Sequence, residues 1–107
     1  MEIRFGEWVP LDAAAARAPR GAGVFQIKVA AGLVDYPTGR SAMICYGAAE
    51  DVAGAVSAVA AAHPGRAWLC RFAEGLEARG QADVDGMLQE LMTRFRRRFG
   101  ASPSLPR

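Results

Sequence analysis

From Val24 to Ala30 the chain alternates: Val24, Gln26 and Lys28 fall on one side, and Phe25, Ile27 and Val29 on the other. Successive side chains of a strand point to opposite faces, and β-branched and aromatic residues suit that pleated surface. The segment therefore reads as a β-strand. Ala31-Gly32 turns the chain, Leu33 to Tyr36 extends a hairpin, and Pro37-Thr38-Gly39-Arg40 turns it again. Ser41 to Tyr46 is the second strand, and its apolar run predicts burial on both faces. A hairpin of this kind obliges the rest of the chain to cover a sheet.

The covering elements follow. Gly47 is expected to open a helix, with Glu50 and Asp51 suited to its positive N-terminus. Val52, Ala55, Val56 and Val59 follow the i, i+3, i+4, i+7 rule, and His63-Pro64-Gly65 stops the helix. Ala67 to Phe72 is a third strand. After Gly80, Val84, Met87, Leu88, Leu91, Met92, Phe95 and Phe99 make one apolar stripe. Asp83 and Asp85 lie at the start of that helix and arginines at its end, matching the helix dipole; Gly100 is placed to cap it.

Before the hairpin, residues 1–8 read as a short strand or arm. Pro10 to Arg17 suggests a short helix with Asp12 as cap. Residues 102–107 carry no regular pattern. The order β-β-α-β-α predicts an α+β domain: a three-stranded antiparallel sheet flanked by helices. The 107 residues read as one domain with its core over about residues 20–101.

Charge is unevenly placed. The net charge is +2, yet residues 1–93 carry eight basic and eleven acidic side chains, while residues 94–107 carry five arginines and no acid. Arg94, Arg97 and Arg98 share one broad side of the last helix. They are candidates for phosphate contact as well as for a solvated helix end. No apolar run approaches the length of a membrane span, so no membrane role is expected. Two cysteines make no disulfide framework, and a cytoplasmic location is the expectation.

Gly23-Val24-Phe25 and, further on, Ile44-Cys45-Tyr46-Gly47 resemble the paired motifs of the GIY-YIG nuclease family. The resemblance covers about residues 20–106. It implies a scaffold on which active members hydrolyse phosphodiesters with a divalent metal. Two motif tyrosines, an arginine on the first helix and a metal-binding glutamate on a later helix do that work in the family. A hard cation needs carboxylate oxygen, and developing phosphate charge needs donors. Here the matching positions hold Phe25, Cys45, Ala55 and Asp85, and the tail carries Pro106 where the family often has asparagine. Phenylalanine has no hydroxyl. No Arg or Lys occurs from Ala48 to Pro64. Tyr46 adjoins Cys45 but should point to the opposite face.

Other groupings carry less. Cys45, His63 and Cys70 lack the paired spacing of a zinc site. Cys45 as a nucleophile would need a base, and His63 lies at the far end of the helix. Trp8, Trp68, Phe72 and Tyr36 could stack on a ligand, although core packing explains them more simply.

The function expected is therefore a non-catalytic GIY-YIG-like binding or interaction module with weak affinity for DNA or RNA through arginine. A protein partner or a homodimer is a further expectation. One alternative is a divergent endonuclease using Asp85 for Mg or Mn, with Arg17, Arg20 or Arg40 on phosphate. Another is a repurposed enzyme whose pocket is lined by Phe25, Cys45, Tyr46 and Arg40. No cofactor is expected outside the nuclease alternative.

Overall fold

The computed structural model describes residues 3–75 and 81–105. Its elements are β1 (Val9–Pro10), α1 (Leu11–Ala14), a 3-10 turn (Ala15–Arg17), β2 (Gly23–Val29), β3 (Val34–Tyr36), β4 (Gly39–Ser41), β5 (Met43–Ala49), α2 (Val52–Ala62), β6 (Trp68–Phe72) and α3 (Gln81–Phe99). The protein is α+β. One sheet has the order β1-β6-β2-β5, antiparallel throughout, and β3 and β4 form a separate ribbon.

The central strand is the alternating segment. β2 pairs with β5 on one side, Phe25 opposite Gly47, and with β6 on the other, Gln26 opposite Arg71. Because a strand sends alternate side chains to opposite faces, β2 builds two cores. Phe25 and Ile27 join Val9, Leu11, Ile44, Val52, Val56, Trp68, Cys70 and Phe72 on the α1/α2 side. Val24 joins Ala73, Val84 and Met87 on the α3 side. The sheet is thus the middle of three layers. Each fully buried aliphatic or aromatic side chain contributes about 1.5–3 kcal/mol, so the two clusters dominate stability.

Several expectations change. The sheet gains a fourth strand, because Val9–Pro10 pairs with Cys70 and Leu69, and the preceding arm continues through a bridge between Phe5 and Ala73. Gly47 lies within β5 rather than opening a helix. Pairing with β2 carries the strand on to Ala49 opposite Gly23, and Asp51 caps α2 by accepting a 3.1 Å hydrogen bond from the Gly54 amide. β5 is an edge strand, so of its residues only Ile44 is buried. Pro10, not Asp12, precedes α1; Asp12 sits within the first turn, and no side-chain cap forms.

The C-terminus of α3 is held by the ribbon. The Thr38 amide and hydroxyl donate to the Phe99 and Arg98 carbonyls at 3.1 and 2.8 Å. Tyr36 meets Phe95 edge-on at 5.0 Å, and its hydroxyl donates to the Met43 carbonyl at 2.7 Å. Gly100 has φ +80°, a left-handed cap conformation, and its amide donates to the Arg96 carbonyl. Gly80 and Pro106 lie outside the described residues. Among the described residues no helix is long and apolar enough to cross a membrane.

Candidate functional site

The positions singled out by the resemblance to the nuclease motifs fall into two unconnected places. Phe25 is only 5% exposed and belongs to the core on the α2 side. Cys45 stands opposite Ile27 and packs against the same core, as does Ala55 from α2. Asp85 is exposed on α3, the helix that covers the other face. The sheet therefore separates the carboxylate from Phe25 and Cys45. Gly47 is needed where it is because the Phe25 ring lies directly over it, in space that a Cβ would occupy.

Burial sets the chemistry of this region. It pushes the Cys45 thiol up to about 11 and, with a further contribution from Cys45, the Cys70 thiol up to about 12. A nucleophilic cysteine needs the opposite shift. His63 meets the Trp68 ring at 5.0 Å in a tilted contact. Among the described residues no three His, Cys, Asp or Glu side chains come together as a metal site.

The residues proposed for a repurposed pocket are also dispersed. Tyr46 pairs with Gln26 and meets Phe95 edge-on at 5.6 Å, placing it on the α3 side, away from Phe25 and Cys45. Burial raises its phenol pKa, and the nearby Arg71 partly offsets that rise. Arg40 is on the outer ribbon, exposed, 3.9 Å from Asp35. Arg17 lines a groove of about 520 Å³ with Gly6, Glu7, Phe72 and Glu74, while Arg20 is exposed just before β2.

The arginine-rich end of α3 is a surface. Arg94, Arg96, Arg97 and Arg98 are all exposed. Arg94 is ion-paired with Glu90 one turn earlier, and Arg96 donates to Ser102 and Thr93. Among the described residues, Arg97 and Arg98 have no acidic partner; Arg98 lies 5.6 Å from the Phe99 ring. The end of α3 thus presents exposed cations beside the Thr38 turn.

A second cationic group was not visible in the sequence. Gln26 is 3% exposed, the buried polar side chain of the sheet. Its Oε1 accepts a 2.8 Å hydrogen bond from Arg71 Nε. The Arg71 guanidinium lies 4.6 Å from the Phe5 ring and 4.4 Å from the Trp8 ring. Lys28 Nζ lies 4.4 Å from the same Trp8 ring. The one available signal was the placement of Gln26 and Lys28 on one face of β2. What joins them to Arg71 is the pairing register, and sequence alternation does not give that. Trp68, Cys70 and Phe72, by contrast, share the core face expected of them.

Comparison with known protein families, with curated proteins and with solved structures returns no match.

Proposed function

We propose that this protein is a non-catalytic binding module that engages nucleic acid weakly through the arginine-rich end of α3. The observation that carries the reading is the packing of Phe25, Cys45 and Ala55 into one apolar core. A phosphodiester entering there would have to displace that core and would find no hydroxyl or guanidinium. Losing one donor to a developing oxyanion commonly lowers a rate by about 10²–10³, and here several such groups are replaced. Asp85 stands on the other layer, which argues against the divergent nuclease reading.

The exposed Arg97 and Arg98 supply the binding half of the proposal. Phosphate contacts by such side chains release counterions, which makes affinity salt-dependent and largely insensitive to sequence. The test is fluorescence anisotropy with short single- and double-stranded DNA and RNA over a range of salt. The expected result is weak binding whose log–log salt slope falls in magnitude by about one for each phosphate contact removed by Arg97→Ala and Arg98→Ala. Binding that is absent, or unchanged in the double variant, would refute it. Magnesium- or manganese-dependent nicking of plasmid DNA that disappears in Asp85→Ala would establish the nuclease alternative instead.

A further inference from the structure

The Arg71 group lies on a different element from the α3 arginines and has its own physical logic. A guanidinium is seldom taken partly out of water without an anion beside it. Arg71 is half-buried, and desolvation lowers its pKa. Yet the Arg40–Asp35 and Arg94–Glu90 ion pairs involve neither Arg71 nor Lys28. Glu7, next to Trp8 in the chain, and Glu74, three residues after Arg71, line the groove with Val9 and Phe72 of the opposite core and Ala73 of this one. The group nearest in charge is the Tyr46 phenol, neutral at ordinary pH.

Lys28 adds a second positive charge. Lys28 pairs with Leu69, and Gln26 pairs with Arg71, so Lys28 and Arg71 are diagonal neighbours on one sheet face. Both reach the Trp8 ring. Trp8 thus has two cations at one ring, and aromatic contact is only a partial substitute for an anion.

The arrangement is also pre-organised. Gln26 holds Nε from below, while Phe5 and Trp8 fix the guanidinium from their rings. Nη1 and Nη2 make no hydrogen bond among the described residues. A planar fork fixed through Nε presents those two nitrogens as a pair, the geometry that takes two oxygens of one oxyanion. α3 packs over Val24, Ala48 and Tyr46, leaving Lys28 and Arg71 partly exposed at the other end of the sheet.

We propose that Arg71, Lys28 and Trp8 form a binding site for a phosphomonoester dianion, with Gln26 as the residue that positions Arg71. The dianion matches the two positive charges, whereas a carboxylate would neutralise one. Arg71 would take two phosphate oxygens through Nη1 and Nη2, and Lys28 would take a third. Trp8 is the wall beside the phosphate. This site does not depend on the α3 surface, so either can fail without the other.

The experiment titrates the full chain with inorganic phosphate and, separately, with a nucleoside monophosphate, at ionic strength held constant with chloride. Two signals are read: the Arg71 Nε–H resonance by NMR and Trp8 fluorescence in a Trp68→Phe background. The expected result is a saturable change in both. Arg71→Lys should weaken binding by about tenfold to a hundredfold, since it keeps a charge but removes the fork. Lys28→Met should weaken it while leaving the Arg71–Gln26 hydrogen bond in place, and circular dichroism confirms that each variant folds. Tighter binding of the nucleoside monophosphate identifies a nucleotide as the source; equal binding identifies the phosphate group alone, and both support the site. Three results overturn it: no saturable change into the millimolar range, a response that chloride reproduces, or undiminished affinity in folded Arg71→Lys.

Discussion

Gly47→Ala tests the packing that closes the motif region. A glycine in a strand is ordinarily less stable than alanine by about 0.5–1 kcal/mol, so in open space the substitution would stabilise. At Gly47 the added methyl would overlap Cζ, Cε1 and Cε2 of Phe25, all within 3.0 Å. The ring has little room to retreat, being 5% exposed and surrounded by core residues. Overpacking of this kind costs about 1–3 kcal/mol, which reverses the sign of the ordinary effect. For a domain of this size each kcal/mol lowers the melting temperature by about 4–8 °C. The assay is thermal and urea unfolding followed by circular dichroism. Phe25→Leu supplies the internal control: a smaller, flexible side chain leaves space for the methyl. The double variant should then be more stable than the sum of the single effects, by a coupling within the range of about 0.5–3 kcal/mol found for touching residues. If Gly47→Ala melts at or above the parent, or if the two changes simply add, the account of Phe25 as a plug over Gly47 is wrong.

Three further outcomes follow from the same structure. Asp51→Ala removes the acceptor for the Gly54 amide and should destabilise by about 0.5–2 kcal/mol, measured by urea unfolding. The raised thiols make stability depend on alkaline pH. With folded values of about 11 for Cys45 and about 12 for Cys70, above the ordinary thiol value of 9.0, their contribution is complete below about pH 9. It is lost as pH rises through the folded values, because the unfolded chain gives up these protons first. Urea midpoints should fall over that window, and Cys45→Ala with Cys70→Ala should flatten the fall. At pH 8, iodoacetamide should label both thiols far more slowly in the folded protein than in urea.

The residues differ in how far their placement could be read from the chain. Val24 to Val29 alternates strongly enough to declare a strand, and α3 declares itself through a seven-residue apolar stripe bounded by acids and arginines. Asp51 and Gly100 mark helix ends through local chemistry, and both do so in the structure. Gly47 misleads because glycine before a run of alanines looks like a helix entrance. Its real constraint, the Phe25 ring, comes from a strand more than twenty residues earlier. Residues 1–8 read as a strand or arm, but the strand itself forms at Val9–Pro10, because two residues carry almost no pattern of their own and β6 recruits them.

The candidate site follows the same division. The chemical identities of Phe25, Cys45 and Ala55 were enough to question phosphodiester hydrolysis, since side chains without hydroxyl or charge cannot steady a phosphate wherever they lie. That Asp85 lies on the opposite layer from them is a matter of which helix covers which face. The meeting of Gln26 with Arg71, 45 residues apart, is likewise a product of strand register. Local periodicity determined the central strand, the long helices and the polarity of their faces, because those depend on neighbours along the chain. Only the tertiary structure decided which faces meet, because burial and pairing between distant strands are settled by packing of the whole sheet.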